Sequence, residues 1–83
     1  MQKTRLGVVG IVIENRNSAA EVNRILGEHA HIIIGRMGVP YKEKEVSVIS
    51  LIVDGNTDEI GAMTGKLGNI PHVTVKTALT KNK

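Results

Sequence analysis

The chain has 83 residues, 41% of them hydrophobic, with eleven Lys/Arg against eight Asp/Glu for a formal charge of +3. It contains no Cys, Trp or Phe, and Tyr41 is its one aromatic residue. This excludes a disulfide framework, thiolate metal or iron–sulfur ligation and Cys nucleophiles, as well as nucleic-acid platforms that stack bases on two or three rings. The core must therefore be aliphatic. A chain this short buries roughly 60–65% of its unfolded surface, so tight packing and self-association are the expected remedies. No segment reaches the roughly 18 apolar residues of a membrane span. The basic start at Met1–Arg5 and the apolar run Leu6–Ile13 lack a small-residue cleavage site. They read as a first strand and not as a signal peptide, with a cytoplasmic location expected.

Arg5–Glu14 is dense in β-branched residues and predicts a strand about ten residues long. Val9, Ile11 and Ile13 alternate with Val8, Gly10 and Val12, so both of its faces are expected to be covered. Asn15–Ser18 is a polar turn. Ser18 followed by Glu21 has the pattern of a capping box, and Val22, Ile25, Leu26 and His29 follow at helical spacing. His31–Gly38 reads as a second strand ended by Pro40. Lys42–Glu45 alternates in sign as a solvated connection, and Val46–Asp54 is a third strand. Asn56 and Glu59 form a second capping pattern. Ile60, Met63, Thr64 and Leu67 then keep helical spacing, with Gly61 and Gly65 on one side, where another backbone can approach closely. Gly68-Asn69 predicts a left-handed helix stop. His72–Leu79 is a fourth strand, and the tail Thr80–Lys83 is expected to fray.

The order β-α-β-β-α-β is the split, ferredoxin-like motif of the α+β class. It predicts a four-stranded antiparallel sheet with two helices on one face, one domain over residues 1–83. The opposite face keeps Val8 and Val12, or their alternates, together with Val48 and Ile52, with nothing to cover them. A homo-oligomer, dimer or tetramer, joined by that face or by strand edges is the functional inference that follows.

Four stretches carry a resemblance. They are Arg5-Leu-Gly-Val-Val-Gly-Ile-Val-Ile-Glu14, Ile32-Ile-Ile-Gly-Arg-Met-Gly-Val-Pro-Tyr41, Ile49-Ser-Leu-Ile-Val-Asp-Gly55 and Thr57-Asp-Glu-Ile-Gly-Ala-Met-Thr-Gly-Lys-Leu-Gly68. The layout resembles an ACT-type regulatory domain and, more closely, the family of iron-only hydrogenase system regulators. That resemblance implies a regulator and no particular ligand. The layout is also similar to the C-terminal domain of nickel-responsive repressors. Here, however, only about five residues precede the first strand, too few for a ribbon-helix-helix segment, and Gly35–Glu45 lacks the His and Cys ligands of those proteins.

The turn Asn15-Arg16-Asn17-Ser18 feeds a helix N-terminus, which suits a carboxylate or phosphate. The ACT-type resemblance implies amino-acid binding near this turn, at a subunit interface. Arg36, set with Met37 in an apolar strand, must find a partner or solvent, the partner being a ligand carboxylate or Glu14 or Asp54 across subunits. These six residues are the candidate ligand-binding set. His29, His31 and His72 are the only imidazoles a metal would use; ordinary surface roles are expected for them, with no metal and no cofactor. Lys3, Arg5, Lys76, Lys81 and Lys83 suggest a basic edge between the outer strands, although nucleic-acid binding is not expected. Acylphosphatases share the topology, and Val9–Val12 followed by Arg16 echoes their phosphate turn. Glu14 stands where it would repel phosphate, and no catalytic motif is present, so a non-enzymatic role is expected. A small-molecule effector or a protein partner is the expected counterpart, and a metal-responsive module without its own DNA-binding segment is the alternative.

Overall fold

The computed structural model describes residues 3–81. Six main elements follow in order: β1 Arg5–Ile13, α1 Ala19–Glu28, β2 Ile33–Tyr41, β3 Val46–Gly55, α2 Thr57–Gly68 and β4 Val73–Leu79. The strands form one antiparallel sheet in the order β2-β3-β1-β4. Val9, Ile11 and Ile13 of β1 and Ile49, Leu51 and Val53 of β3 point to one side, because successive strand residues alternate between faces. They meet Val22, Ile25 and Leu26 of α1 and Ile60, Met63 and Leu67 of α2 in a single core.

The other side is bare. Leu6, Val8, Met37, Val39, Tyr41, Val48 and Ile52 are all more than 40% exposed. The register places them together: Val8 lies opposite Ile52, Val12 opposite Val48, and Val39 also opposite Val48. Within the single chain, only one of the two apolar faces of β1 is covered. The helices cover one face, and the second face carries most of the exposed large hydrophobic side chains among the described residues.

Several boundaries differ from the sequence reading. β2 does not stop at Pro40 but runs through it to Tyr41, with Pro40 paired to Ser47. β2 lies at the edge of the sheet, and a proline there sacrifices no ladder bond that a neighbour needs. A register shift between Ile33 and Gly35 then sets which β2 residues face which way. Ser18 does not cap α1. A 3-10 turn over Arg16–Ser18 precedes the helix, and Asn15 caps that turn by accepting from the Asn17 N–H at 2.9 Å. Ser18 turns inward instead and donates its hydroxyl to the Pro71 carbonyl at 2.8 Å.

The second capping box forms in full. Asn56 Oδ1 accepts from the Glu59 N–H at 2.7 Å, and Glu59 Oε1 accepts from the Asn56 N–H at 3.2 Å. Such a cap contributes about 1 kcal/mol. The left-handed stop is not at Gly68-Asn69, since Asn69 is right-handed at φ −84. The positive φ falls at His72, at 65°. There the chain reverses into β4, and the His72 carbonyl accepts from the Glu14 N–H at 2.9 Å. Thr80 is tied by its N–H to the Leu6 carbonyl at 2.9 Å. Of the tail expected to fray, Asn82 and Lys83 lie outside the described residues.

Candidate functional site

The six candidate residues do not form one site. Adjacent residues in a strand point to opposite faces, and the register separates Arg36 from Met37 accordingly. Arg36 lies opposite Leu51 on the helix side, where its Nη2 donates to Asn23 Oδ1 of α1 at 3.0 Å. Met37 lies opposite Ser50 on the bare face. Ser18 is buried beneath the turn, and Asn17 is exposed. Only Asn15 and Arg16 line a cavity.

That cavity measures about 450 Å³ and sits at the end of the sheet where β1 gives way to α1. The turn contributes Glu14, Asn15 and Arg16, and the β2–β3 connection contributes Tyr41, Lys42 and Glu45. Ile13, Pro40 and Ser47 come from the helix side of the sheet, whereas Tyr41 and Val46 pair on its bare side. The lining thus offers two cations, two carboxylates, an amide, the Ser47 hydroxyl and the Tyr41 phenol. Glu45 holds a left-handed conformation, φ 54, at the exit of the 3-10 turn Lys42–Lys44. This bends the connection back over the strand ends.

Tyr41, Lys42 and Glu45 were missed by sequence reasoning. Their place depends on β2 continuing through Pro40. The available signal was Tyr41 itself, the single ring in the chain.

The three histidines lie at two ends of the molecule. His72 adjoins Glu14 at the cavity end. His29 and His31 lie at the far end of α1, where His31 Nε2 meets Glu59 Oε2 at 2.9 Å. Among the described residues no group of three or more metal-ligating side chains converges. Of the expected basic edge, Lys83 lies outside the described residues, and Arg5 and Lys76 are on opposite faces of the sheet. Lys76 lies opposite Gly10 on the bare face, while Arg5 shares the helix side with Val9. The glycines at 61 and 65 have nothing within 4 Å of an added Cβ, so no backbone approaches them. They border an open groove between α2 and β4.

His29 yields a pH prediction. Its Nε2 is buried without a hydrogen-bond partner. Burial, and then the nearby Lys66 charge, push its pKa below the ordinary 6.5, while Glu28 and Glu59 pull the other way. The unfolded chain then binds this proton more readily than the folded one, so stability is complete above about pH 6.5 and declines as pH falls. Glu59 acts in the same sense lower down. The His31 hydrogen bond and then the Asn56 N–H hold its carboxyl below the usual 4.5, so its contribution is lost as pH drops through the carboxylate range. Melting temperature measured from pH 8 to pH 5 should fall for the wild type and stay flatter for His29→Gln. Parallel curves would remove His29 as the cause.

A family model described as TM1266-like, iron-only hydrogenase system regulator, matches residues 5–77. The protein TM1266 from Thermotoga maritima, described as uncharacterized, has a solved structure at TM-score 0.90 and 38% identity, covering 95% of this chain and 100% of that one. A structure described as a glycine cleavage system transcriptional repressor matches at TM-score 0.68 and 14% identity, over 99% of this chain and 49% of that one. A nitrogen regulatory PII-like protein from Thiomonas intermedia K12, solved in its apo form, matches at TM-score 0.54 and 13% identity, over 94% and 95% of the two chains. The same protein bound to ADP, AMP and acetate matches at TM-score 0.53 and 14% identity, over 98% and 94%. The glycine cleavage system repressor and the PII-like protein share the fold alone. No curated protein matches the chain.

Proposed function

The chain belongs to the TM1266-like family of iron-only hydrogenase system regulators, and from that premise we propose that it is a ligand-responsive regulatory module that works as a homo-oligomer. Its action is binding and not catalysis. The observation that carries the reading is the cavity at the sheet end, lined by both charge signs and adjoining an apolar face. Arg16 and Lys42 suit the anionic group of a small effector, and Glu14 and Glu45 suit a cationic group on the same molecule. A guanidinium and an ammonium recognise carboxylate or phosphate by charge-assisted hydrogen bonds. An amino acid or a compact nucleotide fits this chemistry. The PII-like relative in fold, solved with ADP, AMP and acetate, supports including such molecules among the probes.

The regulatory step is a population shift: a ligand favours whichever arrangement of the oligomer holds it more tightly. The test is a thermal-shift series with the twenty amino acids, adenine nucleotides and acetate. A ligand present at about 100 times its dissociation constant adds about 2.7 kcal/mol of apparent stability. Arg16→Ala and Lys42→Ala should abolish the shift while leaving the unliganded melt near that of the wild type. No shift with any probe, or a shift unchanged in both variants, overturns the ligand assignment.

A further inference from the structure

We infer that the outer edge of β4 takes an extended, acidic segment of a partner protein as a fifth strand of the sheet. No residue lining the cavity at the sheet end belongs to β4, so this surface stands or falls apart from the effector reading.

The sheet order leaves β2 and β4 as its two edges, and the edges differ. β2 is interrupted by the register shift after Ile33 and by Pro40. Bulges and prolines are devices that keep an edge from pairing. β4 has neither. It pairs with β1 without a break from Val73 to Leu79 and contains no Pro or Gly. The hydrogen bonds at its two ends fix which backbone groups are already spent. The His72 carbonyl accepts from the Glu14 N–H, and the Thr80 N–H donates to the Leu6 carbonyl. Paired and outward residues alternate along an antiparallel strand, so Thr74, Lys76 and Ala78 turn their N–H and C=O inward to β1. Val75, Thr77 and Leu79 turn theirs outward, where no strand among the described residues pairs with them. An extended segment laid antiparallel along this edge satisfies both groups of all three residues and adds a strand.

The surroundings define what that segment carries. Its side chains alternate between the two sides of the sheet. On the helix side they enter the groove of about 500 Å³ between β4 and α2. Gly61 and Gly65 leave open space there, and Val73 and Val75 are half-buried. Small or β-branched apolar side chains suit that floor. On the other side they stand beside Thr74, Lys76 and Ala78. Lys76 is the one charged residue of β4, is exposed, and makes no ion pair among the described residues. No Asp or Glu follows Glu59 in the chain, whereas Lys66, Lys76, Lys81 and Lys83 do. Lys66 already meets Glu28 at 3.5 Å, so Lys76 is the cation left for the partner. Toward an added strand it takes a non-hydrogen-bonded position, where facing side chains come closest. A carboxylate opposite it completes a cross-strand pair. A second copy fits this edge worse. In an antiparallel self-pairing centred on β4, Lys76 would stand opposite its own copy, and like charges directly opposite destabilise.

The test is fluorescence anisotropy of the full chain with a labelled, end-blocked peptide Val-Thr-Val-Glu-Val-Thr-Val, whose Glu falls opposite Lys76. Binding should survive N-methylation of the Glu and Thr amides, which point away from β4. It should be lost on N-methylation of the Val amides, which point toward β4. Thr77→Pro removes one outward N–H without breaking the β1 ladder. It should weaken binding about ten-fold with an unchanged circular dichroism spectrum. Lys76→Glu, a change on the exposed side, should prefer a peptide with Lys at its centre over the Glu peptide by about five-fold, the reverse of the wild type. A chain that binds no form of the peptide, or binds the two methylated forms equally, overturns the inference. A lower sedimenting mass for Thr77→Pro than for the wild type makes a second copy the occupant of this edge and overturns the partner assignment.

Discussion

Gly7→Val is expected to lower the melting midpoint by roughly 12–24 °C, the equivalent of about 3 kcal/mol in a domain of this size. Gly7 lies in β1 opposite Leu79 of β4 and Val53 of β3. A Cβ at this position would stand 2.4 Å from Leu79 Cδ2 and 2.5 Å from the Ala78 carbonyl oxygen. The first contact can be relieved by a rotamer change, but the second is backbone. The edge strand must therefore move away, and with it the pairing that ends at Thr80. Shortening the obstructing side chain tests this. Gly7→Ala combined with Leu79→Ala should recover only part of the loss, because the carbonyl stays in place. Gly27 supplies the contrast. It lies in α1 with nothing within 4 Å of an added Cβ, so Gly27→Ala should stabilise by about 1 kcal/mol through helix propensity. Equal effects at the two glycines would refute the close-approach account.

The second large effect is on assembly. Ile52→Asp is expected to weaken self-association by on the order of a thousand-fold or more. Each copy would bring one unpaired carboxylate into the apolar centre of the contact, at several kcal/mol per charge, and every 1.4 kcal/mol is a factor of ten. The fold itself should survive. Ile52 is 41% exposed and points away from the core, whereas its neighbour Leu51 is fully buried. Circular dichroism should match the wild type while sedimentation reports a monomer. Ala20→Asp, a charge added to the exposed surface of α1, should leave sedimentation unchanged. If Ile52→Asp sediments like the wild type, the bare face is not the contact.

The alternation of β1 and β3, the helical spacing of both helices and the Asn56–Glu59 box were all legible in the sequence, because each is local. The bare face was legible for the same reason: period two together with two helices leaves one side uncovered. What the sequence hid depends on distant partners. Ser18 has the residue type and spacing of a cap, but its hydroxyl goes to Pro71, 53 residues away. Pro40 has the look of a strand end, and only the edge position of β2 lets the strand pass through it. That one misjudged boundary concealed the candidate site, since Tyr41 and Lys42 reach the cavity only when β2 extends to them. The pairing of Arg36 with Met37 failed for a reason that strand geometry alone supplies, since neighbours in a strand never share a face.

The one-sided cover of β1 has a consequence for any survey of substitutions. Val9, Ile11 and Ile13 are sealed beneath the helices, and Leu6, Val8 and Val12 belong to the bare side. Along this single strand, damage at odd positions should register in the yield of folded protein and damage at even positions in particle mass. Two selections run in parallel on one library, one scoring expression and one scoring size, should therefore return the same nine residues as two interleaved combs.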